Sequence, residues 1–376
     1  MHVGLNSIEV KRQNKILVYR YLLENGRAVK PTIAGDLKLS LPTVRQITGE
    51  LVEQGLAYEA GPQDSYGGRR AMEIAVVPDY RYAAGIDITK NHIDFALVNL
   101  RGEILVNKRY KKGFEDSKAY WKELKQMHET FLKEQEIESE RIYGLGISLP
   151  GIISKDQKSL EYSHIFQLRK PMDFAGRISG YPYEICFFND AEAGCMAECY
   201  THQAPDEFVF LSLSNTVGGA IVHDGQISKG KNNRSGELGH ICIVPEGRLC
   251  YCGKKGHYDP YGSALLLSEL AGGSMKDFFS GLKQGNEQYQ ERFEEYLRAL
   301  ALMIYNLHIS TDLPVVLGGY AGSYLNEYLP KIRALLKEKE IFDDEECYIS
   351  TSRYNVEGAA VGSARYFSEQ FILRLS

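Results

Sequence analysis

Residues 236–259, GELGHICIVPEGRLCYCGKKGHYD, constrain the fold more than any other stretch of the chain. His240, Cys250, Cys252 and His257 stand within 18 residues, close enough for one loop to wrap a tetrahedral Zn²⁺ with two imidazoles and two thiolates. The Cys-x-Cys spacing puts a thiolate on either side of Tyr251, and Gly253 or Gly256 supplies the turn that brings the last ligand round. The alternative is two reduced surface thiols beside two unrelated histidines. Glu237 and Asp259 bracket the loop without entering the metal count. Ionised carboxylates beside an imidazole suit recognition of a sugar, whose many O–H groups donate to carboxylate oxygens.

A chain of 376 residues with 44% apolar content is long enough for two or three packed units around sizeable cores. It contains no uncharged apolar run of membrane-spanning length, and MHVGLNSIEVKRQNK at the N-terminus has no apolar signal core. A cytoplasmic protein with no membrane partner is therefore expected. The odd number of cysteines, seven, argues for reduced thiols rather than a disulfide framework. The net charge of −5 hides an asymmetry: residues 1–70 hold ten Lys or Arg against seven Asp or Glu. Contact with a polyanion, if there is one, belongs to that end.

Residues 11–25 place Ile16, Tyr19 and Leu23 on one helical face, with Gly26 as the stop. Residues 32–37 read as a short second helix. Ser40 then offers an N-cap, and Pro42 fits the first turn of a third helix. There Val44, Ile47 and Leu51 share the buried face, leaving Thr43, Arg45 and Gln46, with Thr48 at the margin, to point outward. Two helices meeting through Lys38-Leu39-Ser40 form a helix-turn-helix, whose second member would lie in a DNA major groove. Residues 56–59 and 71–77, on either side of GPQDSYGGRR, read as a β-hairpin wing, with Arg69 and Arg70 suited to a phosphate backbone or a narrow minor groove. A small helical protein-interaction module is the competing reading.

A new unit begins near Tyr82. AAGIDI, HIDFALVNL and EILVNKRY read as three strands, followed by a helix over 121–133 and the strand IYGLGISL. YEICFFND is a strand ending at Asn189-Asp190, with a helix over 191–200. Asp190 at such a junction is either the helix cap or a functional carboxylate. A second half starts near Glu207 with FVFLSLS and GGAIVH, then the metal loop, long helices through Thr311, the strand VVLGG and a terminal helix from Gly358.

GELGH, then CxCGxxG starting ten residues after that His, then an acidic residue, resemble the signature of the ROK family of repressors and sugar kinases. LSLPTVRQITGELVEQGL followed by GGRR also resembles the winged DNA-binding domain that precedes the sugar-binding body in ROK repressors and is missing from ROK kinases. The resemblance implies an α/β chain with two domains: a winged helix-turn-helix over 1–80 and, over 81–376, a two-lobed actin-like ATPase (ASKHA, RNase H-like) body with its zinc loop at 236–259. It further implies that Asn189, Asp190, Glu237, His240 and Asp259 bind the sugar, Asp190 occupying the position of the kinase base. Here the family's final GCxE is Gly256-His257-Tyr258-Asp259, so an imidazole replaces the third thiolate and the last acid is one methylene shorter. At His164, where the family often has Asn, the side chain is either a ligand contact or a loop histidine.

Family kinases carry a D-x-G-G-T phosphate loop, and the matching positions here read Asp87-Ile88-Thr89-Lys90-Asn91. A second loop, G-T-G-x-G-G in kinases, reads Ser214-Asn215-Thr216-Val217-Gly218-Gly219. Glycines in such loops let backbone N–H groups approach phosphates, and their loss argues against ATP. Gly318-Gly319 is either the family's adenosine-side pair or a simple strand-to-helix turn. The expectation is therefore a homodimeric, sugar-responsive repressor that binds operator DNA, holds structural zinc and catalyses nothing. A ROK sugar kinase with an added DNA-binding domain is the rival.

Overall fold

The computed structural model describes residues 7–62, 71–200, 205–339 and 348–375. The N-terminal head is built from α1 (Ser7–Asn25), β1 (Arg27–Val29), α2 (Lys30–Asp36), α3 (Leu41–Glu53), β2 (Ala57–Pro62) and β3 (Met72–Val76). Ile16, Tyr19, Leu23, Val44, Ile47 and Leu51 are buried together, as their helical spacing requires. Leu37 caps α2 and Lys38 turns the chain with φ 53°, a left-handed position, before Ser40 accepts from the Thr43 amide at 3.2 Å to start α3. Thr48 corrects the sequence reading. It is fully buried on the core face of α3, and its hydroxyl donates to the Val44 carbonyl at 2.8 Å. Strands β2 and β3 pair antiparallel, and the unexpected β1 extends them to a sheet of order β1-β3-β2. Glu50 on α3 ties this helix to α1 by accepting from Lys11 at 2.7 Å and from the buried Lys15 at 3.5 Å.

The first lobe contains β4 (Tyr82–Ile88), β5 (His92–Asn99), β6 (Ile104–Lys111), α4 (Lys118–Glu134), β7 (Ile142–Leu149), three short strands β8 (Ile152–Ile153), β9 (Ser159–Tyr162) and β10 (Met172–Asp173), then β11 (Glu184–Asn189) and α5 (Asp190–Cys199). The second contains β12 (Phe208–Leu213), β13 (Val217–His223), β14 (Gln226–Ser228), the metal loop, α6 (Asp259–Gly262), α7 (Leu265–Ser268), α8 (Met275–Lys283), α9 (Glu287–Thr311), β15 (Val315–Gly318), α10 (Gly319–Gly322), α11 (Leu329–Lys337) and β16 (Ile349–Thr351). The large sheets run β11-β7-β4-β5-β6 and β14-β13-β12-β15-β16. In both, three antiparallel strands are followed by two parallel ones on the other side of the first. That repeated order is the actin-like ATPase topology, with β4 and β7 buried as near-continuous apolar strands and β11 buried at Cys186, Phe187 and Phe188.

The last helix, α12 (Gly358–Leu373), returns to the first lobe and joins it to the head. Its N-terminal half is made of small residues, so backbones meet. A Cβ on Gly362 would lie 1.8 Å from the Ala193 carbonyl oxygen of α5, and one on Gly146 would lie 2.2 Å from that of Ser363. Midway, the buried Arg365 donates to the carbonyls of Gly102 (2.6 Å) and Ala197 (2.7 Å). Toward its end Glu369 pairs with Arg20 of α1, the Leu373 carbonyl accepts from Arg12 at 3.0 Å, and Ile372 enters the core of the head.

Candidate sugar and metal site

Strand β11 ends at the cleft between the lobes, and the first turn of α5 presents Asp190 there. Asn189, not Asp190, is the N-cap: its Oδ1 accepts from the amides of Ala191 (2.8 Å) and Glu192 (3.0 Å). Its Nδ2 donates to the Gly151 carbonyl at 2.9 Å, so both ends of the Asn189 amide hold the cleft floor in place. Asp190 is thereby freed of capping duty and faces a cavity of about 400 Å³, lined also by Asn189, Glu237, His240, His164 and Tyr251. Five of the six expected sugar contacts thus surround one space.

Asp259 is the exception. It is buried at the start of α6 and is not among the lining residues; its carboxylate accepts from the Val217 amide at 2.7 Å. Burial raises its pKa to about 6 against the lowering effect of that bond. Burial, reinforced by the neighbouring Asp87, raises Asp190 to about 7, and burial likewise raises Glu237 against the nearby Arg234. Asp87, hydrogen-bonded to Ser148 at 2.6 Å, is raised to about 6 by burial. Carboxylates so poised bind hydroxyl donors strongly once ionised.

The metal loop brings its four expected ligands together: one donor atom from each of His240, Cys250, Cys252 and His257 lies within 4.8 Å of the others. His240 Nδ1 and His257 Nδ1 are 3.2 Å apart, Cys252 Sγ is 3.2 Å from His257 Nδ1, and Cys250 Sγ is 3.8 Å from His240 Nδ1. A tetrahedral Zn²⁺ with bonds of about 2.0–2.3 Å sets its ligands roughly 3.3–3.8 Å apart, so the set fits. Burial pushes the Cys250 thiol up to about 11, which makes it a thiolate at neutral pH only beside a cation. Gly253, at φ 83°, closes the turn by donating to the Cys250 carbonyl at 2.9 Å. Glu237 Oε2 lies 3.7 Å from His240 Nε2, on the face of the ring away from the metal set.

Tyr251 is among the cavity residues that escaped sequence reasoning. Tyr251 stacks on His164 with ring centroids 4.2 Å apart and 20° between planes, and its hydroxyl lies 3.1 Å from His240 Nε2. Its position between two expected metal ligands was the available signal, since a bound metal would fix both neighbours of such a residue.

Thr43, Arg45 and Gln46 lie on the outward side of α3, Thr43 half-buried and Arg45 and Gln46 exposed, and Gln46 donates to Glu50 at 3.1 Å. Arg69 and Arg70 lie outside the described residues.

A family model described as the ROK family matches residues 83–370. The chain is 28% identical over 265 residues to the xylose repressor of Bacillus subtilis (strain 168), covering 69% of this chain and 68% of the repressor. It is 26% identical over 286 residues to the DNA-binding transcriptional dual regulator NagC of Escherichia coli (strain K12), covering 75% and 68%. Among solved structures it matches a ROK family transcriptional regulator, a homologue of the E. coli MLC protein, with a TM-score of 0.75 over 97% of both chains at 20% identity. It also matches a ROK family glucokinase from Streptomyces griseus, in complex with glucose and AMPPNP, with a TM-score of 0.64 over 76% of this chain and 98% of the kinase at 19% identity. With the family model covering most of its length and the actin-like lobes enclosing one cleft, the chain belongs to the ROK family.

Proposed function

We propose that this chain is a sugar-responsive, DNA-binding transcriptional repressor of carbohydrate-metabolism genes. The observation that carries the reading is α12, one helix packed at one end on α5, which bears Asp190, and at the other on α1 of the head. The head, residues 1–80, acts as a winged helix-turn-helix, with Thr43, Arg45 and Gln46 of α3 entering the major groove and Arg69 and Arg70 reaching the backbone or minor groove. The body, residues 81–376, binds the effector through Asp190, Glu237, His240, Asn189 and His164, with Asp259 as a support below them. The names of its relatives point to a pentose or an amino sugar as the class of effector. Structural zinc on His240, Cys250, Cys252 and His257 holds His240 in place. Paired operator half-sites call for a homodimer in the cytoplasm. The sugar acts by binding the DNA-released arrangement better than the DNA-bound one.

The kinase reading is disfavoured by the phosphate loops. Thr89 is engaged with His92 through both its amide and its hydroxyl, and the Val217 amide is taken by Asp259. Amides bonded within the protein are not available to a nucleotide. Among the described residues no helix is long and apolar enough to cross a membrane. The deciding experiment is binding of purified protein to DNA upstream of its own gene and its neighbours, at fixed salt, across a panel of sugars. Specific binding altered by one sugar supports the proposal. Failure to bind any such DNA, together with ATP-dependent consumption of a sugar, overturns it in favour of a kinase.

A further inference from the structure

We infer that Tyr251 and His164 form a clasp that closes the sugar cavity from opposite lobes, with the Tyr251 hydroxyl as a donor that positions the sugar. The inference rests on the reading of this cavity as a sugar site.

His164 belongs to the first lobe, just beyond β9, and Tyr251 to the metal loop of the second. Each ring is anchored independently. Beside His164, Ser163 donates to the Pro150 carbonyl at 2.6 Å and accepts from the Phe166 amide at 3.1 Å. Beside Tyr251, the Cys250 amide donates to the Lys254 carbonyl at 2.8 Å, and both flanking cysteines belong to the metal set. Two rings held from separate lobes yet stacked at 4.2 Å join the two sides of the cavity that both of them line. The lobes cannot separate there without parting the stack.

The hydroxyl has a direction as well as a place. His240 turns Nδ1 toward the other metal donors, so a metal there leaves the ring proton on Nε2. Nε2–H then donates to the Tyr251 oxygen 3.1 Å away, and the phenol keeps its own proton. Among the described residues no second hydrogen-bond partner accepts that proton. Asp190 and Glu237, once ionised, can only accept, so they bind the hydroxyl groups of a sugar. Tyr251 supplies the complement. It can donate to an oxygen that carries no proton, such as a ring oxygen or an acyl carbonyl, and this selects sugars that turn such an oxygen toward the metal loop.

The test uses the full-length, zinc-loaded protein and two single variants. Tyr251→Phe keeps the stack and removes the donor; His164→Ala keeps the donor and removes the stack. Without sugar, His164→Ala is expected to raise amide exchange several-fold in residues 159–168 and 249–257, while Tyr251→Phe leaves it near wild type. Both variants should retain one metal per chain by mass spectrometry. Titration with D-xylose and N-acetyl-D-glucosamine should show Tyr251→Phe weakening the sugar that the wild type binds by roughly tenfold. Unchanged exchange in His164→Ala overturns the clasp, and an affinity within twofold of wild type in Tyr251→Phe overturns the donor. If the wild type binds neither sugar, the donor role falls with the sugar reading, and exchange alone decides the clasp.

Discussion

The Asp259 carboxylate accepts from the Val217 amide at 2.7 Å, fastening the end of the metal loop to the first residue of β13. Asp259→Ala leaves that buried N–H unpaired and should destabilise the protein by about 1–3 kcal/mol in urea titration. Asp259→Asn keeps an acceptor and should lose less than about 1 kcal/mol. Loss of sugar binding in Asp259→Asn at unchanged stability would make Asp259 a sugar contact after all.

Asp190 ties the sugar response to pH. Its pKa is raised from 3.8 to about 7, so the folded state holds a proton that the unfolded chain has released. Its contribution to stability is therefore fully present below about pH 4 and is lost as pH rises through 7. Asp190→Asn should stabilise the sugar-free protein at pH 8 by on the order of 1–3 kcal/mol, with the advantage gone at pH 4. Sugar binding needs the ionised form and should weaken below pH 7, the opposite trend. Calorimetry at several pH values checks both. In DNA-binding assays the same variant should lose the sugar response and keep its operator affinity.

On α3, exposure separates the proposed DNA contacts from the helix's internal supports. Arg45→Ala should weaken operator binding by about 5- to 150-fold, about 1–3 kcal/mol, and flatten its salt dependence. Thr48→Val removes a hydroxyl bonded only within its own helix and should change operator affinity by less than twofold. Fluorescence anisotropy at two salt concentrations distinguishes the two.

Removal of metal should loosen the loop from 240 to 257 first. Chelation is expected to lower the melting temperature by on the order of 5 °C and to abolish sugar binding, since His240 and Tyr251 lose their placement. Cys250→Ser should reproduce both effects at full metal supply. A chelated protein with wild-type melting and sugar affinity would remove the structural role given to the ion.

Strand periodicity and the glycine-bounded metal loop made most of the architecture readable from sequence. The expected helix from residue 191 begins at Asp190, and the expected strand VVLGG is β15. Thr48 was misplaced because a polar residue at the edge of an apolar stripe reads as outward, whereas its hydroxyl satisfies itself against the preceding turn. β1 escaped because three residues carry no period. In the site, the clustering of ligands was legible from local spacing. Two things were not: that the last acid would bond a backbone amide 42 residues earlier, and that His164 and Tyr251 would meet across lobes. Such contacts depend on tertiary approach, which no local pattern encodes.

Leu100, Ile372 and Leu375 complete a hydrophobic core whose other members come from α1, α2, α3, the small sheet and Leu56 between α3 and β2. Seating α1 therefore requires pairing with chain more than 300 positions away, at Leu373 and Glu369. Closing a loop of that length costs chain entropy before the contact rewards it. A fragment carrying only the head would expose the apolar faces that these residues cover. Head and body share this one apolar core, so a chain with a damaged body is expected to leave the head with its core incomplete.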